Sequence, residues 1–274
     1  MPSIHPNASV SPEAELEADV EVGPYVVIDG PVRVGAGTRI IAQAHLTGHT
    51  EIGPECVIHP FAAIGGPPQD RAHTGERSYC RVGARTVLRE GVTIHRGTAP
   101  ESTTSVGDDC MIMAWAHVAH NCTVADRVIL INGVQLAGHC SVGRCTVIGG
   151  LAAVHQFCRI GEYAMVGGGA LITQDALPFM SHVDRNICTG INRIGLRRNG
   201  FTAEAIDELR TIHRRFFRSG TTIGRAARDF ADQARTDAGR RLIEFALAPS
   251  RRSIGGRSLG AARKRGQEDS TVAD

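Results

Sequence analysis

Residues 116–122 read AHVAHNC, and two imidazoles set so close together are the first sign of chemistry in the chain. Imidazole changes charge near neutral pH, so a held histidine can take a proton from a hydroxyl and return it later. With 12 His in the sequence, no one of them is informative alone, but their spacing is. Positions 120, 138 and 156 are His, Gly and Gln; positions 121, 139 and 157 are Asn, His and Phe; positions 119, 137 and 155 are Ala, Ala and His. If the backbone climbs one level every 18 residues, levels lie about 4.8 Å apart, as neighbouring strands do. His117, His120, Asn121, His139, His155 and Gln156 then gather on one edge, with Gly138 leaving room beside the His120 ring. Two chemistries suit such a cluster: a general base acting on a hydroxyl, or three imidazoles holding zinc with one position open.

The levels follow from a repeat. Ile, Val or Leu recurs every six residues from Ile4 to Ile64, again at Val82, Leu88 and Ile94, and again from Val106 to Ile172. Four residues after most of them stands a small residue, such as Ala44, Cys56, Cys110, Cys122 or Ala164. Glycine often follows the aliphatic directly, as at Gly23, Gly53, Gly107 and Gly143, where it is expected to relieve a corner. A period of six fits neither a helix nor an alternating strand. It fits a triangular prism in which each hexad is a short strand plus a corner, and three hexads close an 18-residue coil. The repeat is the hexapeptide signature of a parallel β-helix.

Two polar interruptions, residues 66–81 and 99–105, break the phase and must loop outside the coil, where function concentrates. The expected organisation is a β-helix over 1–178, a connector and C-terminal helices over 179–249, and a disordered tail over 250–274. Within the second part, 178–200 reads as irregular. Thr202 caps a helix with an Ile206, Leu209, Ile212 and Phe216 stripe that ends at Gly220, and shorter helices span 222–234 and 236–247.

Composition removes several function classes. A net charge of +2 is too balanced for a general nucleic-acid binder. Lys264, in the basic tail, is the only lysine, which disfavours Schiff-base and P-loop chemistry. No apolar run is long enough for a membrane span, and Met1–Pro6 opens no signal peptide, so a cytoplasmic location is expected. Five of the 8 Cys, namely Cys56, Cys110, Cys122, Cys140 and Cys158, fall on the small interior position, and no CxxC occurs. They read as buried thiols in a reducing compartment.

Seven segments together resemble one family: GGPPQD, TIHRGT (93–98), AHVAHNCTV (116–124), LAGHCSVG (136–143), IGGLAAVHQFCRIG (148–161), MVGGGA (165–170) and RRNGF (197–201). The chain is similar to the acyl-ACP–UDP-N-acetylglucosamine O-acyltransferases, which make the first intermediate of lipid A. The resemblance implies an all-β left-handed parallel β-helix followed by a small α-helical domain, against the usual right-handed crossover. It implies His120 as general base, the Gly138 N–H as oxyanion donor and His139 near the acyl carbonyl. It places Gln69, Asp70 and His117 at sugar and acyl group, Gln156 at the product, Asn192 and Arg198 at the nucleotide, and a chain-length stop at Gly168. Asn121 stands where the family commonly has Asp. It further implies a homotrimer with sites between subunits, acyl carrier protein as donor, a UDP-sugar acceptor, and no metal or organic cofactor. Arg210, Arg214, Arg215 and Arg218 are candidates for steering the acidic carrier.

Three departures stand out: Ala72 where a lysine is usual, Ile194 for a glutamate and Asn199 for an arginine. They favour, as the alternative, a paralogous acyltransferase using another nucleotide sugar or an amino-sugar acceptor. The zinc alternative resembles the gamma-class carbonic anhydrases, whose His pair has four intervening residues in place of the His117-x-x-His120 found here. A catalytically silent coil is disfavoured by the polar cluster itself.

Overall fold

The computed structural model describes residues 1–256. The hexads form the three faces of a left-handed β-helical prism, in sheets of 11, 9 and 8 strands that are parallel throughout except for the last strand of the first, which belongs to a terminal hairpin. Strands pair at an offset of 18 residues, as Ser3↔Glu21 and His117↔Gln135 show. The offset widens where the phase breaks, at Val57↔Val87 and Val87↔Met111. The excess chain leaves the coil between strands Ala63–Gly66 and Tyr79–Val82, and again between Thr93–His95 and Thr103–Val106. The loops are therefore 67–78 and 96–102, tighter at the first and earlier at the second than the lost periodicity suggests. Tyr79 and Thr103 already pair with each other in the ladder, although neither occupies an aliphatic hexad position.

Aliphatic positions fill the prism, with Ile28, Leu46, Ile94 and Leu136 fully buried. The small position faces the backbone of the next coil, and its hydroxyls and thiols use that proximity. Thr38 Oγ1 donates to the Gly53 carbonyl at 2.9 Å, and Cys122 Sγ donates to the Ala137 carbonyl at 3.1 Å. All eight cysteines are unbridged. Glycine after the aliphatic answers a different need from the one expected. A Cβ on Gly53 would lie 2.6 Å from the Ala84 nitrogen, so close approach of the next coil demands it. The left-handed backbone falls two residues later, on non-glycine residues such as Glu55, φ 58°.

The stack is closed by an antiparallel hairpin, Met180–Val183 with Ile187–Ile191, and by helix α1, Arg193–Arg198. The stretch expected to be irregular is thus ordered, because a terminal coil must pair its open edge. Helices α2 (Ala203–Arg218), α3 (Ile223–Phe230) and α4 (Asp237–Leu247) follow, each capped by a threonine: Thr202, Thr222 and Thr236. Their second core, with Phe179, Met180, Leu209, Ile212 and Leu242, seals the prism end. Buried Glu208 accepts from the N–H groups of Arg235 and Thr236 and from the Thr236 hydroxyl, fixing the start of α4.

After α4 the chain returns to the coil. The Asp175 N–H donates to the Ser253 carbonyl at 2.9 Å, and the Gly255 N–H donates to the Asp175 carbonyl at 2.8 Å. Residues 250–256 of the expected disordered tail are therefore seated on the prism. The remainder, with Lys264, lies outside the described residues.

Candidate active site

The site grows from one prism edge. Asn121, His139 and Phe157 occupy its left-handed corner positions, with φ of 59°, 61° and 66°. That conformation turns their side chains outward, and Asn and His tolerate it better than most residues. His139 stacks on Phe157 with ring centres 4.7 Å apart, and His120 meets His139 edge-on at 5.2 Å.

His120 is held in one tautomer. The Thr98 N–H donates to Asn121 Oδ1 at 3.0 Å, which fixes the oxygen end of that amide. The same oxygen lies 3.0 Å from His120 Nδ1, so Nδ1 carries the proton and donates. The Nε2 lone pair is left facing the Asp70 carboxylate at 3.9 Å. Asp70 in turn accepts from the Ala72 N–H at 3.0 Å, the main reason its carboxyl titrates below its ordinary range, with His120 adding to the effect. Gly138 makes the ring's position possible: a Cβ there would stand 2.6 Å from His120 Cε1 and 2.7 Å from Nε2. The neighbouring N–H groups of Ala137 and His139 donate to the carbonyls of Val154 and His120, whereas that of Gly138 meets no acceptor among the described residues.

Three neighbouring imidazoles, His117, His139 and His95, titrate below their ordinary range. Burial pushes His117 down to about 4, with His95 and His120 contributing, and its Nδ1 lies 2.7 Å from the Thr93 hydroxyl. His139 is lowered by burial, then by His120 and by Arg251. His95 is lowered mainly by burial, packs edge-on against His117 at 4.9 Å, and has an unpartnered buried Nδ1. Among the described residues, no group of three His, Cys, Asp or Glu side chains is arranged to hold a metal ion.

Gln69, His117, His120, Gly138 and Gln156 line one groove of about 590 Å³, which climbs past Leu136, Val154 and Ile172 to Thr173 and Arg185. His139 and Asp70 stand at its edge through their contacts with His120. Three residues singled out in the sequence lie outside it. Asn192 caps α1, its Oδ1 accepting from the Gly195 N–H and its Nδ2 donating to the Tyr163 carbonyl. Arg198 is exposed at the end of α1. Gly168 sits in a corner on the far side of the groove's sheet, where a Cβ would meet only the Gly150 backbone, its oxygen at 3.3 Å. Sequence reasoning did not single out His95, Thr98 or Arg252. The first two lie within the TIHRGT motif, and only the folded loop brings the Thr98 N–H to Asn121. Arg252 arrives from the tail: its Nε donates to the Gln156 carbonyl at 3.0 Å and its guanidinium touches His155 Nδ1 at 2.7 Å.

Comparisons with known proteins point the same way. Residues 175–254 match the family profile described as Udp N-acetylglucosamine O-acyltransferase, domain 2, and 103–138 match bacterial transferase hexapeptide (six repeats). Two curated relatives are both named acyl-[acyl-carrier-protein]–UDP-N-acetylglucosamine O-acyltransferase. The one from Thermodesulfovibrio yellowstonii is 44% identical over 80% of this chain and 85% of its own. The one from Caulobacter vibrioides is 45% identical over 84% and 88%. Among solved structures, the UDP-N-acetylglucosamine acyltransferase of Francisella novicida superposes with a TM-score of 0.89 at 30% identity, covering 94% of this chain and 98% of its own. The Arabidopsis enzyme gives 0.82 at 32%, covering 92% and 100%. With a locked imidazole beside a glycine on the edge of a hexapeptide coil, and with this identity over most of both chains, the protein belongs to the acyl-[acyl-carrier-protein]–UDP-N-acetylglucosamine O-acyltransferase family.

Proposed function

We propose that the chain transfers a (3-hydroxy)acyl group from acyl carrier protein to the 3-hydroxyl of UDP-N-acetylglucosamine, the first step of lipid A biosynthesis, in the cytoplasm. The observation that carries the reading is the tautomer of His120: Nδ1–H bound to Asn121, Nε2 free in the groove. Nε2 takes the proton of the sugar hydroxyl as its oxygen attacks the thioester carbonyl carbon. The resulting oxyanion is met by the free Gly138 N–H. The intermediate collapses to the ester, the carbon–sulfur bond breaks, and the imidazolium returns its proton to the departing thiolate. Asn121 orients the ring but cannot offset its positive charge. The Asp70 carboxylate, 3.9 Å from Nε2, supplies that charge and is ionised at neutral pH. Only His120 needs to move protons, so no metal or organic cofactor takes part. Neutral His117 and His139, with Gln69 and Gln156, position sugar and acyl group.

The groove is open on one side, and a neighbouring subunit closes it in a homotrimer. An apolar ridge supports this: Tyr25, Phe61, Trp115 and Leu151 are exposed on left-handed corners of one prism edge. Trp115 lies over Gly91 and Leu151 over Gly133, where a Cβ would touch them at 2.7 and 2.8 Å. Gln43 interrupts the row between Tyr25 and Phe61, and an exposed apolar row of this kind marks an interface. Exposed Arg214, Arg215 and Arg218 on α2 face the acidic carrier, whereas Arg210 is partly occupied by Asp207 at 3.1 Å.

A second reading, transfer to another UDP-sugar or to an amino-sugar acceptor, is favoured by α1. Ile194 is exposed there, and Asn199 accepts from Arg127 and donates to the Gly195 carbonyl. Assay of acyl carrier protein with a panel of UDP-sugars separates the readings. An ester at the 3-oxygen of UDP-N-acetylglucosamine supports the first, and an amide or preference for another sugar supports the second.

A further inference from the structure

An asparagine beside a basic imidazole must be oriented, whereas a carboxylate need not be. One end of the amide accepts and the other donates. With Asn121 Oδ1 toward His120 Nδ1, the ring keeps its proton there and Nε2 is free to act as base. With the amide nitrogen in that place, Nδ1 must accept, the proton moves to Nε2, and the base is disabled. An amide that presents its nitrogen to the imidazole of a serine-protease triad costs about 10⁴-fold in kcat. In this site the Thr98 N–H, 3.0 Å from Asn121 Oδ1, decides the orientation. The tautomer of His120 is therefore held only as firmly as Thr98 is.

Thr98 lies in the second external loop, and the first loop holds it. His73 Nδ1 is 3.1 Å from the Thr98 carbonyl oxygen and 3.1 Å from Glu76 Oε2. Both partners are acceptors, so Nδ1 carries a proton and donates. The Glu76 carboxylate is fixed in turn by the Thr74 hydroxyl at 2.7 Å and the Thr74 N–H at 2.9 Å. Although it stands on an external loop, the His73 side chain is only 8% exposed. Farther out the loops join again, where the Glu101 N–H donates to the Arg77 carbonyl at 2.8 Å and Arg77 Nε donates to Glu101 Oε1 at 2.8 Å. That pair is exposed to solvent and contributes less than the shielded one. The His73 N–H also donates to the Asp70 carbonyl at 3.1 Å, and the Asp70 carboxylate faces His120 Nε2 at 3.9 Å. One turn, residues 70–73, thus addresses both nitrogens of His120: Nε2 through Asp70, and Nδ1 through His73, Thr98 and Asn121. We propose that His73 is a positioning residue for the transfer: by holding Thr98 it keeps the Asn121 amide oxygen toward His120, and so keeps the base in its active tautomer. The inference rests on the acyltransfer reading above.

The test places His73→Leu and His73→Asn in the wild type and in Asn121→Asp. His73 belongs to neither packed core, so the variants should fold. Leucine removes the donor, whereas asparagine returns an N–H close to the position of Nδ1. In the wild type, His73→Leu lets the amide sample both orientations and should lower kcat about tenfold, the weight of one orienting hydrogen bond. His73→Asn should restore most of that rate. In Asn121→Asp the same His73→Leu change should cost less than about threefold, because a carboxylate offers the ring an acceptor in either orientation. An equal loss in both backgrounds overturns the assignment, since His73 would then serve only the loop. An undiminished rate in His73→Leu overturns it too. NMR of the His120 ring nitrogens reads the tautomer without catalysis. The wild type should carry the proton on Nδ1, and His73→Leu should show a form protonated on Nε2 as well. A proton on Nε2 in the wild type overturns the inference with no variant needed. The tautomer change without turnover of any UDP-sugar supports the role of His73 and counts against the acyltransfer reading.

Discussion

Replacing Gly138 by Ala isolates the placement of the base from its chemistry. The added Cβ would stand 2.6 Å from His120 Cε1 and 2.7 Å from Nε2. Ordinary contact needs about 3.5 Å, so the ring must retreat by close to 1 Å. The backbone offers no alternative, because Gly138 is stitched between the coils by the Phe157 N–H to its carbonyl at 3.1 Å. Retreat stretches the bond to Asn121 Oδ1 and carries Nε2 away from the hydroxyl. Misplacement on this scale costs about a hundredfold in rate, or about 2.7 kcal/mol of barrier. The Gly138 N–H remains, so oxyanion binding is retained and the loss reports the ring. Steady-state assay should show kcat reduced about a hundredfold, with Tm within a few degrees of wild type. A variant within threefold of wild type would refute the claim that this contact places the base.

Gly168 lies outside the groove of its own chain, so it can stop the acyl chain only if that chain passes between subunits of the proposed trimer. On that reading Gly168→Met should shorten the preferred acyl chain, measured on acyl carrier proteins of graded length. Each excluded methylene forfeits about 0.8 kcal/mol of burial; an unchanged preference in an active variant removes Gly168 from the channel. Activity should survive exhaustive chelation under reducing conditions, and loss restored by zinc would favour the metal reading. Stability should fall as pH drops from about 6.5 toward about 4. His182, pushed down to about 4 mainly by burial, stays neutral when folded while its unfolded form takes a proton, so acid favours unfolding. His182→Asn should flatten that part of the Tm–pH curve, and an unaltered slope would assign it elsewhere.

Much of the site was legible because a coil converts sequence distance into height. Once the hexads are seen, His120, Gly138 and Gln156 must stack, and the structure stacks them. What crosses from a loop or the tail was not legible. Thr98 reaches Asn121 only because the second loop folds back over the corner, and no period encodes that. Residues 250–256 have the composition of a disordered segment, yet the Asp175 backbone captures them and delivers Arg252 to Gln156. The hairpin after Pro178 lacks hexads because it ends the stack instead of continuing it. The capping role of Asn192 at the start of α1, beside the nucleotide contact that the resemblance implies, was not legible from spacing.

The most direct test of the account is the rate of ester formation by His120→Ala, with acyl carrier protein as donor and UDP-N-acetylglucosamine as acceptor. The side chain is held at a corner outside the packed interior, so the variant should keep its fold and assembly. Loss of the general base should lower kcat about a thousandfold. Turnover near the wild-type rate by a folded His120→Ala protein would contradict the account.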